Sequence, residues 1–258
     1  MKPSSTPNDS TERLPFGQLA TRQWLLDQGI PRHALDNALK SRKFVALARG
    51  VVARFGVPVT WQGLAASLNR ILPGPVYVGG LSALEQAGFG HYLRAVPRVH
   101  LYSSEPRPAW LGKLDVGVEI LWHSNRRLWE PSTLQQAGSL KEMSGSGAWP
   151  CLMATPEQAW LEVLAEVPDT VSFEHADELM QGLTSLSPRR LDVLLNDCRH
   201  IKVKRLFFFF AARYHYGWLK HLDRSAYDLG SGKRVVAKGG RLDKEFLITV
   251  PEAFHGQE

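Results

Sequence analysis

The sequence predicts an α+β chain: an N-terminal winged helix-turn-helix unit followed by a mixed α/β C-terminal region. Three observations carry that expectation. Residues 17–54 hold two short amphipathic segments joined by a Gly-containing turn, then two apolar runs separated by Ala48-Arg49-Gly50. Between 76 and 122, short alternating apolar runs are interspersed with helix signals, as in a small sheet with helices against it. From Thr155 onward four helical segments follow one another before a terminal hairpin.

The first segment, GQLATRQWLLDQG at 17–29, offers Ala20, Trp24, Leu25 and Leu26 for packing. Gly29 and Pro31 then signal the start of a second helix running to Arg42. Its apolar residues Ala34, Leu35, Ala38 and Leu39 recur at the i, i+4 spacing of one buried face. His33, Asn37 and Lys40 lie opposite, with Arg32 and Asp36 beside them. Phe44, Val45 and Leu47 read as a strand, and Val51-Val52-Ala53 as its return. Arg49 then stands near the hairpin tip and Arg54 at its base, with Arg42 and Lys43 between helix and wing. Such a helix can enter a major groove, where Arg, Lys and Asn pair with base edges. A basic wing can ride on phosphates or reach a minor groove. The DNA-binding set read from the sequence is therefore Arg32, His33, Asn37, Lys40, Arg42, Lys43, Arg49 and Arg54. The same pattern also fits a small helical subdomain whose charged face is merely solvated.

Gly56-Val57-Pro58 breaks the chain, and Thr60 can cap a helix reaching about Leu72. Val76-Tyr77-Val78, Arg98 to Tyr102 and Val116 to Trp122 are the strand candidates, with a helix from near Leu81 to Gly88. Residues 103–115 and 123–150 read as loops and short strands, with SGSG at 144–147 as a flexible loop tip. The composition changes near Cys151. Thr155-Pro156-Glu157 is a helix start, as is Ser187-Pro188. A further helix covers 172–182, and the last, about Val203 to Tyr216, is apolar all round at Phe207–Phe210, which places it mid-core. Lys233–Lys238 and Phe246–Val250 read as the terminal hairpin. The expected division is a disordered tail at 1–13, the winged unit at 14–58, a small α/β segment at 59–150 and a mainly helical basic region at 151–258. The sheet of 76–122 can belong to either half.

The 258 residues carry a formal net charge of +6, which favours acidic partners such as nucleic acid, nucleotides or an acidic protein without choosing among them. Two cysteines, Cys151 and Cys198, form neither a metal motif nor a disulfide framework, so a reduced cytoplasmic setting is expected. No signal peptide and no membrane span is read. Gly230-Ser231-Gly232-Lys233-Arg234 fails as a phosphate-binding loop, because Tyr227 and Arg234 stand where glycine and Ser or Thr are needed. His215 and His221 do not share a helical face, Glu157 and Glu162 point apart, and nothing marks a Ser/His/Asp triad. No catalytic residue, metal or cofactor is expected.

One basic constellation remains. Lys202, Lys204 and Arg205 open the aromatic helix, while Lys233 and Arg234 enter from a Gly-rich turn. Together they read as one basic surface for an acidic or phosphorylated target. The alternative is that they only cap helix carbonyls or pair with Asp197 and Asp223.

The sequence also resembles AbiEi-type antitoxins, the transcriptional-regulator half of type IV toxin–antitoxin pairs. The N-terminal likeness lies in LATRQWLLDQGIPRHALDNALKSRKFVALARGVVAR, TWQGLAASL and VYVGGLSALEQAG. The more specific C-terminal blocks are ATPEQAWLEVL, SFEHADELMQGLTSLSPRRLDVLLNDCRHIKVKRLFFFFA and WLKHLDRSAYDLGSGKRVVAKGGRLDKEFLITVP. One departure is Val52, where a tyrosine often follows Gly-Val in the family. The resemblance implies a winged-helix domain that represses its own operon at inverted repeats. It also implies a C-terminal domain that counteracts a nucleotidyltransferase toxin of the AbiEii type, without requiring a stable complex. On that reading Lys202, Lys204, Arg205, Lys233 and Arg234 form the antitoxin surface. The competing hypothesis is a nucleotide- or RNA-directed enzyme using the same basic surface. A deep pocket joining Lys202, Lys204 or Lys233 to an acidic residue would favour the enzyme.

Overall fold

The computed structural model describes residues 13–90, 97–143 and 148–255. The expected tail, apart from Arg13, and the expected loop tip at 144–147 lie outside the described residues. The chain starts with β1 (Leu19–Thr21), α1 (Arg22–Asp27) and α2 (Arg32–Lys40), followed by the wing strands β2 (Phe44–Ala48) and β3 (Val51–Arg54). The three strands form an antiparallel sheet in the order β1-β3-β2. Helix α3 (Trp61–Ile71) is capped by the Thr60 hydroxyl, which accepts from Gly63 N at 3.2 Å. It lies on this sheet, where Leu64 and Leu68 pack in one cluster with Leu19, Val51 and Ala53. Gly63 makes that approach feasible, since a Cβ there would fall 2.0 Å from the Gly17 carbonyl oxygen.

The central sheet has five strands: β4 (Val76–Val78), β5 (Arg98–Ser103), β6 (Glu119–Ser124), β7 (Leu140–Glu142) and β8 (Leu152–Ala154). Their order is β6-β5-β4-β8-β7, with β4 antiparallel to β5 and parallel to β8. Side-chain alternation decides its two faces. Val76, Val78, Val99 and Leu101 pack towards α3, whereas Tyr77 and Tyr102 pack with α4 (Gly80–Gln86) and α6 (Pro156–Glu166). The remaining helices are α5 (Pro131–Ala137), α7 (Phe173–Gly182), α8 (Pro188–Asp197) and α9 (Ile201–Tyr214). As expected from its composition, α9 runs through the core, with Phe207 and Phe210 at 0% exposure.

Three expectations need correction. The stretch 123–150 contains α5, whose signals are Pro131 in its first turn and Gly138 as a left-handed cap at φ 57°. The terminal hairpin is made of β9 (Arg241–Asp243) and β10 (Ile248–Val250), not of Lys233–Lys238. Phe246 N donates to Asp243 Oδ1 at 2.8 Å, and that Asp-centred turn closes the hairpin. The 233–238 segment lies on the other side of β10, touching it through the Arg234–Ile248 bridge. Finally, the composition change near Cys151 is not a structural break, because β8 beyond it is hydrogen-bonded to β4 before it. Packing also crosses 58/59, where α3 covers the wing sheet.

The meeting point of β4, α4 and α6 is polar. Glu162, 0% exposed, accepts hydrogen bonds from Tyr77 Oη, Gly80 N and Gln158 Nε2, each at 2.8 Å. Tyr77 Oη in turn accepts from Asn125 Nδ2 at 3.1 Å, and Ser139 Oγ donates to Gln158 Oε1 at 2.6 Å. Burial pushes the Glu162 carboxyl up to about 7 in spite of these donors. The folded pKa thus lies above the unfolded value of 4.5. The associated stability is fully present below that unfolded value and is lost as pH rises through the folded one. Glu162→Gln mimics the protonated acid. Wild type should therefore lose stability relative to this variant by up to about 1.4 kcal/mol per pH unit across this window. Urea denaturation at several pH values measures it, and a pH-independent difference would contradict the assignment.

Candidate nucleic-acid interface

Thr21 starts the helix pair. Its hydroxyl accepts from Trp24 N at 3.1 Å and caps α1. The turn to α2 needs Gly29, at φ 82°, and Pro31 occupies the N-cap of α2 rather than its first helical position. On α2, Leu35 and Ala38 are buried, with Ala34 and Leu39 half-buried, so the expected packing face forms. Arg32, His33, Asn37 and Lys40 are all exposed. Asp36 is the acid nearest this face. It pairs with Arg22 of α1 at 2.5 Å, and that guanidinium holds its carboxyl below the ordinary aspartate range. The pair ties α1 to α2 and neutralises the one acidic side chain on α2.

Helix α2 ends at Ser41 and Arg42, the latter left-handed at φ 56°. Arg42 and Lys43 are exposed where helix passes into wing. At the wing tip Arg49 is exposed and Gly50 takes φ 76°, with a register shift between Ala46 and Ala48. Arg54 differs from the expectation: it is half-buried, with its guanidinium carbon 3.8 Å over the Phe16 ring. It braces the wing base by a cation–π contact and is not presented like the other seven.

The C-terminal set separates into two groups. Lys202 Nζ donates to the carbonyls of Ala165 at 2.8 Å and Val167 at 2.6 Å, closing the end of α6. Lys204 and Arg205 are 3% and 1% exposed. Arg205 Nε reaches Leu229 O at 2.7 Å; its two terminal nitrogens reach Gly232, Leu247 and Gly230 carbonyls at 2.7, 3.0 and 3.0 Å. These three cations therefore do not form a surface; Arg205 gathers the Gly-rich loop and the end of the hairpin onto α9. Lys233 and Arg234 are exposed. A cleft of about 640 Å³ does bring Lys202 near Asp169 and Glu174. Lys202 Nζ is nonetheless engaged by two carbonyls, and Ser172 Oγ accepts from His175 N as the cap of α7. Glu157 and Glu162 serve different partners, Glu157 accepting from Ser187 N at 2.7 Å.

Two parts of the structure had no counterpart in the sequence reading. One is the polar cluster on β5, β6 and α6: His100 Nδ1 lies 3.0 Å from His123 Nε2, and His123 Nδ1 lies 3.3 Å from Glu166. The other is Trp149, which packs against Trp24 of α1. Both depend on pairing between distant segments, and no local spacing announces them.

A family model described as the N-terminal domain of the AbiEi antitoxin transcriptional regulator matches residues 4–95. A second, described as "Transcriptional regulator, AbiEi antitoxin, Type IV TA system", matches residues 96–251. The chain belongs to this AbiEi family. Among solved structures, the RV2827C protein from Mycobacterium tuberculosis is similar at a TM-score of 0.49 and 14% identity, over 93% of this chain and 87% of that one. No curated protein matches the chain significantly. AbiEi membership makes this a regulatory antitoxin of a toxin–antitoxin system. No helix among the described residues is long and apolar enough to cross a membrane.

The buried and exposed cations should behave differently. Arg205→Met leaves the Leu229, Gly230 and Gly232 carbonyls without their Arg205 donor, while Leu247 O keeps its bond from Arg234 N, and should cost about 1–3 kcal/mol or more. Lys233→Glu, at an exposed site, should stay within about 0.5 kcal/mol of wild type. Equal stability of the two variants in urea would show that Arg205 is not the clasp described.

Proposed function

We propose that this AbiEi antitoxin represses its own operon by binding duplex DNA with α2 and the wing. Its C-terminal part counteracts a nucleotidyltransferase toxin of the AbiEii type, with no catalytic site of its own. The observation that carries the DNA reading is the exposed face of Arg32, His33, Asn37 and Lys40, opposite the buried Leu35 and Ala38. Arg42, Lys43 and Arg49 extend it along the wing as phosphate contacts. The operator is an inverted repeat of half-sites, and the protein works in the cytoplasm. Neutralisation need not involve a stable antitoxin–toxin complex. Lys233 and Arg234, the exposed members of the basic set, are the residues offered to the toxin, its nucleotide or its RNA substrate.

Lys40→Ala should lower the salt slope of operator binding by about one unit. Asn37→Ala should cost roughly 1–3 kcal/mol and relax preference at one base position. If Arg32→Ala, Lys40→Ala and Arg49→Ala together leave the mobility shift intact, another surface reads the DNA.

Repression and neutralisation should also be separable, at a place set by packing. A fragment from residue 100 loses β4 and α4, which supply the middle strand and part of the core. A fragment from residue 59 keeps α3 and both faces of the sheet. It should rescue cells from the toxin while failing to bind the operator. Loss of rescue by a soluble, folded 59–258 fragment would show that the two activities share one unit.

A further inference from the structure

The hydrophobic cluster of the DNA-reading unit is almost self-contained. Its buried members all come from residues 14–52. Among the described residues, Trp149 alone packs against it from outside that range. The same indole packs against the cluster shared by α3 and the five-stranded sheet. Trp149 lies in the connection between β7 and β8, which is closed by a bond from Met143 N to Cys151 O at 2.8 Å. Its ring meets Trp24 edge-on, with centroids 5.4 Å apart and planes at 67°. Its carbonyl accepts from Gln18 Nε2 at 3.3 Å, and Gln18 is 1% exposed.

Helix α1 has six residues, too few to hold itself in water. Its direction comes from what it touches: Leu25 in the cluster, Arg22 paired with Asp36 of α2, and Trp24 against Trp149. Base contacts need a helix held to within about 0.5 Å, whereas contacts to phosphates carry no base readout and tolerate more tilt.

We propose that Trp149 is a positioning residue for operator recognition: it fixes α1, and through the Arg22–Asp36 pair α2, so that the reading face meets the groove in one geometry. This rests on the DNA-binding reading above and adds that the last turn of grip on the reader comes from the central sheet. It also makes the packing of Trp149 on both clusters the route by which a change in the sheet reaches DNA affinity.

The test uses the full chain and two duplexes of equal length, one from immediately upstream of its reading frame and one scrambled. Trp149→Leu should lose preference for the upstream duplex by about two- to tenfold, the range one aromatic pair supplies. Binding to the scrambled duplex and the salt slope should stay unchanged. Trp149→Phe, which keeps a ring edge on Trp24, should restore the preference. Trp24→Leu should show the same loss, and the double variant no more than either single one. Should Trp149→Leu fail to fold, Trp24→Leu and Trp149→Phe still decide the matter. Unchanged preference in Trp149→Leu or in Trp24→Leu overturns the proposal. So does an equal loss on both duplexes, which marks a merely structural role. A wild-type chain with no preference for the upstream duplex sinks the DNA-binding reading itself, and that outcome is visible before any substitution is made.

Discussion

Glu162 is a carboxyl buried where three elements meet, and the arrangement of the molecule depends on its being satisfied. Tyr77 brings β4 to it, Gly80 brings the first turn of α4, and Gln158 lies one turn back on α6. A buried carboxyl without donors would cost several kcal/mol, so these elements are held at fixed separations. The fit leaves no room for a side chain at the Gly pair. A Cβ at Gly79 would fall 2.3 Å from Glu162 Oε2, and one at Gly80 would fall 2.6 Å from Tyr102 Oη. Because β4 is the middle strand, what fixes β4 fixes both layers: Tyr77 faces the helical core while Val76 and Val78 face α3.

That shared strand changes how the family's two-part description reads on this chain. The two family models meet at residues 95 and 96. In the structure β4 lies before that point and β5 after it, and they are antiparallel neighbours with Tyr77 opposite Tyr102. The N-terminal part therefore supplies the centre of the sheet on which the C-terminal helices rest. The winged helix-turn-helix unit keeps a small cluster of its own and is joined to the rest through α3 and Trp149.

The basic residues teach a related lesson about charge. Pattern alone groups Lys202, Lys204, Arg205, Lys233 and Arg234 as one set. Arg205 is a donor with a fixed planar fork, suited to several carbonyls at once, and the loop at 229–232 supplies three of them. A cation that satisfies buried carbonyls and a cation offered to a partner are the same letter in a sequence. Only the position of the loop separates them.

The sequence by itself determined what rests on neighbours within a few positions. The Thr60 and Ser187 caps, the buried faces of α2, α3 and α8, the turn at Gly50 and the core position of Phe207–Phe210 all follow from local rules, whereas Thr155 starts α6 without a side-chain cap bond. The family resemblance was legible for the same reason, since its blocks are continuous runs of residues. Tertiary structure decided what rests on residues far apart. The strand order β6-β5-β4-β8-β7 places residues 76–78 beside 152–154, across a change of composition that looked like a boundary. It also chose the hairpin partner of β10, buried Lys204 and Arg205, and set Trp149 against Trp24. Helix caps and amphipathic faces are satisfied within one turn of chain, so spacing reveals them. Sheet order and the burial of a charge are settled by which distant donors and surfaces arrive, and no local spacing records that.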